Sequence, residues 1–198
     1  MNVPRFIEVL PEHLIHATCT YYGNWLPGDP RGFRSEDHCI HSSGDYRNKP
    51  PAGDHGRLHD QAGRIMKHSP VVLEGDERQA VGEAFLDKMM RKLNRRVLVI
   101  TAAAKHLHIL YVGDGGDATV DLGRAKQYAS HQLTSRPGTV WARGEGIKRV
   151  ATLDHANRAL PYIAEHELRE GAWVWIAPQF EERVRAYLKE KWSVAIRK

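Results

Sequence analysis

The chain has 198 residues, 41% hydrophobic and 27% charged. That balance excludes wholesale disorder and fits one domain carrying an insertion or an appendage. Lysine and arginine number 29 against 24 aspartates and glutamates, a formal charge of +5, which permits a polyanionic partner without demanding one. The two cysteines, Cys19 and Cys39, fit neither a disulfide scaffold nor a cysteine-ligated zinc site. No apolar run approaches the ~20 residues of a membrane span. The N-terminal Met-Asn-Val-Pro-Arg-Phe-Ile-Glu lacks the basic segment and apolar core of a signal peptide, so a soluble cytoplasmic protein is expected.

His13 to Leu26 alternates and is rich in β-branched and aromatic residues, predicting a strand that ends near Gly23. From about residue 27 to 70, Gly, Pro, Asp and His dominate and apolar periodicity disappears. A stretch this long inside a domain is normally functional or flexible, and it is assigned as an insertion. Its histidines, at positions 38, 41, 55, 59 and 68, are expected to be solvated.

Ala80, Val81, Ala84, Phe85, Leu86, Met89 and Leu93 recur at helical spacing, predicting a helix over 77–93 capped by Asp76. Arg95–Ala103 is expected as a buried strand and His106–Val112 as the next, stopped by Gly113-Asp-Gly-Gly116. Asp117–Thr134 is a second helix, Val140–Thr152 an irregular strand, and Asp154 the cap of a third helix reaching about Arg169. Pro161 inside that helix removes a hydrogen bond and is expected to kink the chain just before Tyr162. Trp173 and Trp175 are assigned to packing of the C-terminal segment, and an amphipathic helix is expected over about 179–192.

The order strand–helix–strand–strand–helix–strand predicts an α+β fold: a ferredoxin-like antiparallel sheet with helices on one face, plus a long loop insertion and a C-terminal helix. The expected units are residues 1–170 and a helical extension, 171–198.

The chemistry concentrates in His106-Leu107-His108. Side chains alternate along a strand, so the two imidazoles emerge on one face while Leu107, Ile109 and Tyr111 point the other way. The bland alternative is two polar residues on the wet face of a half-covered sheet. A catalytic metal usually takes a third protein ligand and keeps positions open. Pro161-Tyr-Ile-Ala-Glu-His166 offers one, since Tyr162 and His166 are four apart on one helix face. Tyr162 is then a nucleophile beside a metal held by His106, His108 and His166. Tyr128 is the rival nucleophile, but no strong ligand stands four residues from it. Arg124, Lys126, Arg143, Lys148 and Arg149 are candidates to hold phosphates or else solvated surface charges, and Trp141 is either a stacking platform for a base or a packed core residue. His155 reads as an exposed helix residue.

His106-Leu-His108 and Tyr162-Ile-Ala-Glu-His166 resemble two motifs of the single-domain HUH tyrosine transposases and their relatives, the REP-associated tyrosine transposases. Those families carry a His-hydrophobic-His strand and, later, a helix of pattern Tyr-Ile-x-x-(Gln/Asn/His). Lys126-Gln-Tyr-Ala-Ser130 and Val140-Trp-Ala-Arg143 resemble further family segments, as does Trp25-Leu-Pro-Gly-Asp-Pro-Arg-Gly32. The resemblance spans about residues 13–170.

It implies cleavage of single-stranded DNA through Tyr162 as nucleophile, with a 5′-phosphotyrosine intermediate, and a divalent cofactor, Mg²⁺ or Mn²⁺. Single-stranded or hairpin DNA is the implied partner, and no membrane. Family members work as dimers or alone, so a homodimer and a monomer are both open. A histidine stands at 166 where close relatives mostly carry Gln or Asn, and an all-imidazole set shifts preference toward Mn²⁺ and later metals. Lys105 stands where many relatives have an acidic or amide residue. Two other readings remain: a hairpin or single-strand DNA-binding protein that does not cut, and a histidine-based phosphoesterase. The latter would need paired His-x-Ser/Thr motifs, and His106-Leu-His108 does not itself match that pattern.

Overall fold

The structure is a computed structural model that describes residues 3–29, 55–133, 136 and 138–195. His38, His41, Cys39 and most of the insertion expected at 27–70 lie outside the described residues, as does Thr134 at the expected end of the second helix.

The elements in chain order are β1 (Leu14–Thr20), α1 (Gly56–Arg64), α2 (Gly75–Asp87), β2 (Arg96–Ala102), β3 (His106–Val112) and α3 (Ala118–Ser130). They continue with β4 (Gly146–Arg149), α4 (Leu153–Ala164), α5 (His166–Glu170), β5 (Trp173–Ile176) and α6 (Pro178–Ala195). The sheet is antiparallel with order β4-β1-β3-β2-β5. Strands 4-1-3-2 with α2 and α3 as crossovers make the expected ferredoxin-like α+β arrangement. The segment beyond residue 170 adds an edge strand to this sheet, with Val99 to Ala102 pairing Ile176 to Trp173, as well as helix α6.

Alternation along β1 and β3 sorts side chains between two cores. Ile15, Ala17, Cys19, Leu107, Ile109 and Tyr111 face α2 and α3, meeting Val81, Phe85, Leu122 and Ala125. Leu14 and Leu110 face the other way, toward Leu160 and Ile163 of α4, Val184 and Leu188 of α6, and Phe6 and Ile7 of the N-terminal segment. A register shift between Val97 and Val99 lets Leu98 and Val99 both join this second core, as a β-bulge does. The second face is thus covered by α4 and α6 as well, and the histidine pair lies under that cover instead of open to water.

Local chemistry explains the helix ends. Glu74, not Asp76, caps α2 through a reciprocal capping box with Glu77, and the helix continues as a π-helical turn over Lys88–Lys92. Asp117 caps α3 by accepting from Thr119 N. Thr152, not Asp154, caps α4, its hydroxyl accepting from His155 N. Asp154 pairs instead with Arg158. The third helix runs through Pro161 to Ala164 and breaks at Glu165, after which the short α5 ends at Gly171 in the left-handed region (φ 61°). Asn157 docks the N-terminal segment on α4: its Oδ1 accepts from Phe6 N at 2.6 Å and Ile7 N at 2.7 Å, and its Nδ2 donates to Ile7 O.

Candidate metal centre

β3 presents His106 and His108 on the α4 side of the sheet, and α5 lowers His166 onto them. Ring centroids stand 4.8 Å apart for His106–His108, 5.2 Å for His106–His166 and 4.9 Å for His108–His166. One ring nitrogen from each lies within 4.8 Å of the other two. His108 and His166 are only 8% and 4% exposed.

Two of the rings are oriented from behind. Thr18, opposite His108 across the β1–β3 ladder, shares a 2.9 Å hydrogen bond with its Nδ1. His166 Nδ1 lies 3.0 Å from Glu170 Oε1, one helical turn on. With that carboxylate ionised, Nδ1 carries the proton and donates, which leaves Nε2 as a lone-pair donor to a cation. His166 Nε2 is buried and has no hydrogen-bond partner among the described residues. Burial, then the neighbouring His106, His166 and His16, push the His108 pKa down to about 2. A metal needs neutral imidazoles, and this pocket keeps His108 neutral. Three imidazoles, His106 half-buried and the other two buried and braced at the far nitrogen, fit a divalent cation.

Glu165, in the break between α4 and α5, ties this corner to the C-terminal helix. Its carboxylate accepts from Lys191 Nζ at 2.8 and 2.7 Å and from Trp192 Nε1 at 3.0 Å. The residue next to it in sequence is His166, so α6 helps to set where the third ring stands.

Tyr162 sits at the mouth. Its ring centroid is 5.3 Å from that of His166 and 5.8 Å from that of His108. The residue is 41% exposed, unlike the imidazoles beneath it. The arrangement is a buried nitrogen-donor floor with an accessible phenol at its rim.

The expected phosphate and base contacts fare differently. Trp141 takes the packed alternative and not the stacking one: it is 6% exposed, packs on Tyr21 at 4.7 Å and Phe85 at 6.0 Å, and its Nε1 donates to Lys126 O. Lys126 is not a free cation either. Its ammonium pairs with Glu145 at 2.5 Å, with both side chains largely buried. Both belong to the α3 side of the sheet, and Arg124 is exposed on that same helix, away from the histidines. Arg143 is exposed in the turn before β4, next to Ala142, whose N–H bonds Thr20 O beside His106. Tyr128, the rival nucleophile, is on α3 as well, with its hydroxyl on Asp87. His68 is packed, not simply solvated: it stacks on Tyr22 at 4.0 Å and its Nε2 accepts from Thr139 N.

His16 is the site residue that sequence reasoning passed over. It lies on β1 two residues before Thr18, on the same sheet face, with its ring 5.5 Å from His108 and 6.3 Å from Tyr162. The alternation that singled out His106 and His108 also applies to His16-Ala-Thr18, so a signal was present.

Among the described residues no helix is long and apolar enough to cross a membrane. No protein-family model matches the chain, and no curated protein matches it. Among solved structures the chain is similar to a REP-associated tyrosine transposase bound to a REP hairpin, with a TM-score of 0.46 and 10% identity, covering 85% of this chain and 74% of that one.

Proposed function

We propose that this protein is a metal-dependent nicking and joining enzyme for single-stranded DNA, of the transposase type, with Tyr162 as nucleophile and His106, His108 and His166 as metal ligands. One observation carries the reading: an accessible phenol stands 5.3 Å from the nearest ring of a three-imidazole cluster, two of whose rings are buried. The motif resemblance, His-Leu-His followed by Tyr-Ile-Ala-Glu-His, supports the same assignment.

A bound divalent ion would neutralise phosphate charge and make the phosphorus easier to attack. The chain's own residues supply the rest. Tyr162 gives up its phenolic proton, its oxygen bonds to phosphorus, the bond to the 3′-oxygen breaks, and that oxygen leaves as a hydroxyl. The strand end stays joined to the enzyme as a 5′-phosphotyrosine. Bond energy is conserved in that link, so attack by a 3′-hydroxyl reverses it and no nucleotide cofactor is needed. His108 and His166 hold their positions through Thr18 and Glu170, which preorganises the ligand set.

The test is a labelled hairpin-bearing single strand incubated with the protein and Mn²⁺, then resolved on a denaturing gel. A covalent adduct is expected, and Tyr162→Phe should abolish it while retaining DNA binding. An adduct that survives the substitution moves the role to another tyrosine. Binding without an adduct over a panel of hairpins favours the protein that binds DNA without cutting.

A further inference from the structure

Beside Tyr162 lies a second group of basic side chains that the metal centre does not use. His16 on β1 and Lys148 on β4 are direct cross-strand partners, so their side chains leave the same face of the sheet. That is the face of His106 and His108. His155, in the first turn of α4, brings its ring to 6.5 Å from that of His16. Tyr162 lies two turns further along the same helix.

We infer that His16, Lys148 and His155 form a subsite for a phosphodiester group of the strand presented to Tyr162. The inference rests on the single-strand reading above and names where that strand is gripped. Three observations carry it. His16 Nε2 is buried and has no hydrogen-bond partner among the described residues, and an orphaned buried nitrogen needs an explanation. An arriving phosphate oxygen is the partner a ring N–H would take. Next, the chargeable neighbours that bear on His16 are His155, Lys148 and His166, every one of them basic. Last, the rings nearest to His16 at the rim belong to Tyr162 and His155. Both are on α4, and Tyr162 is 41% exposed. Rotation of the exposed Tyr162 side chain, a fast motion for such residues, would widen the rim beside His16 for a ligand.

Neighbouring Arg149 provides the internal control. It pairs with Ile15, whose side chain is in the α2–α3 core, so Arg149 leaves the opposite face of the sheet from Lys148.

The test uses the full chain, ¹⁵N-labelled, in EDTA, with imidazole nitrogens followed by NMR during titration with the dinucleotide thymidylyl-thymidine or with inorganic phosphate. The His16 Nε2 signal is expected to move saturably with the dinucleotide. Lys148→Gln should weaken that binding about tenfold, the scale of one charged phosphate contact, and Arg149→Gln less than about twofold. The subsite is overturned if His16 stays still throughout, or if the two variants weaken binding equally, which means diffuse charge only. It is equally overturned if inorganic phosphate saturates the site and the dinucleotide does not. No metal and no cleavage enter this measurement, so a missing Tyr162 adduct leaves its outcome intact, and a silent His16 leaves the adduct assay intact.

Discussion

Glu165→Ala tests the idea that the C-terminal helix holds the metal corner together. The carboxylate is 11% exposed at its side chain and Lys191 is 42% exposed, so solvent screens the pair from one side and it contributes about 1 kcal/mol. The hydrogen bond from Trp192 Nε1, at 3.0 Å, adds about 1 kcal/mol, and its loss strands an indole N–H for up to about 1 more. The sum, about 2–3 kcal/mol, corresponds to a fall in Tm of about 4–12 °C for a chain of this size. Lys191→Met removes the ion pair alone and should lower Tm by about 2–4 °C. Combined in a double-mutant cycle under thermal denaturation, Glu165→Ala and Lys191→Met should show a coupling of about 1 kcal/mol. Calorimetric Mn²⁺ titration should also weaken in Glu165→Ala, because His166 follows directly. If Glu165→Ala melts like the parent, or the two substitutions add without coupling, the tie between α6 and the metal corner is refuted.

Glu170→Gln and Thr18→Val each remove the brace behind one imidazole and should lower Mn²⁺ or Co²⁺ affinity about 10–100-fold, as measured by calorimetry or cobalt absorption. Lys126→Met leaves Glu145, 7% exposed, as an unpaired buried charge; it should cost about 3–5 kcal/mol in denaturant unfolding while DNA affinity of the folded protein is unchanged. Hydrogen bonds from Arg136 hold the Glu77 carboxyl below its ordinary value of 4.5, so the unfolded chain takes up this proton first. The stability from the pair is therefore complete above about pH 4.5 and is lost as pH falls through the folded value. Glu77→Gln should flatten that acid limb of the stability curve, and an unchanged slope would count against the pair.

β3 was legible to the residue because its alternation, its stop at Gly113 and its two histidines agree with one another. The histidine cluster followed from two spacings, two residues on a strand and four on a helix, although Glu165 breaks the helix inside the second spacing. Cap identity was less visible, since Thr152 and Asp154 are both good capping residues and only the extended backbone at Thr152 decides between them. Lys126 was misjudged for a topological reason: a crossover helix packs on one face of the sheet or the other, and periodicity within α3 does not say which. Helix α1 was hidden by its composition, for Gly56–Arg64 buries no residue and offers only Leu58 and Ala62 as apolar side chains. His16 was overlooked because a lone histidine among β-formers resembles a wet-face residue until its neighbours across the ladder are known.

The clamp on Glu165 also orders events in time. His106 and His108 leave the ribosome early, but the segment that steadies His166 ends at Trp192, more than eighty residues later. A nascent chain carries its phenol and its first two imidazoles well before the third is anchored. The corner around His166 is therefore completed last.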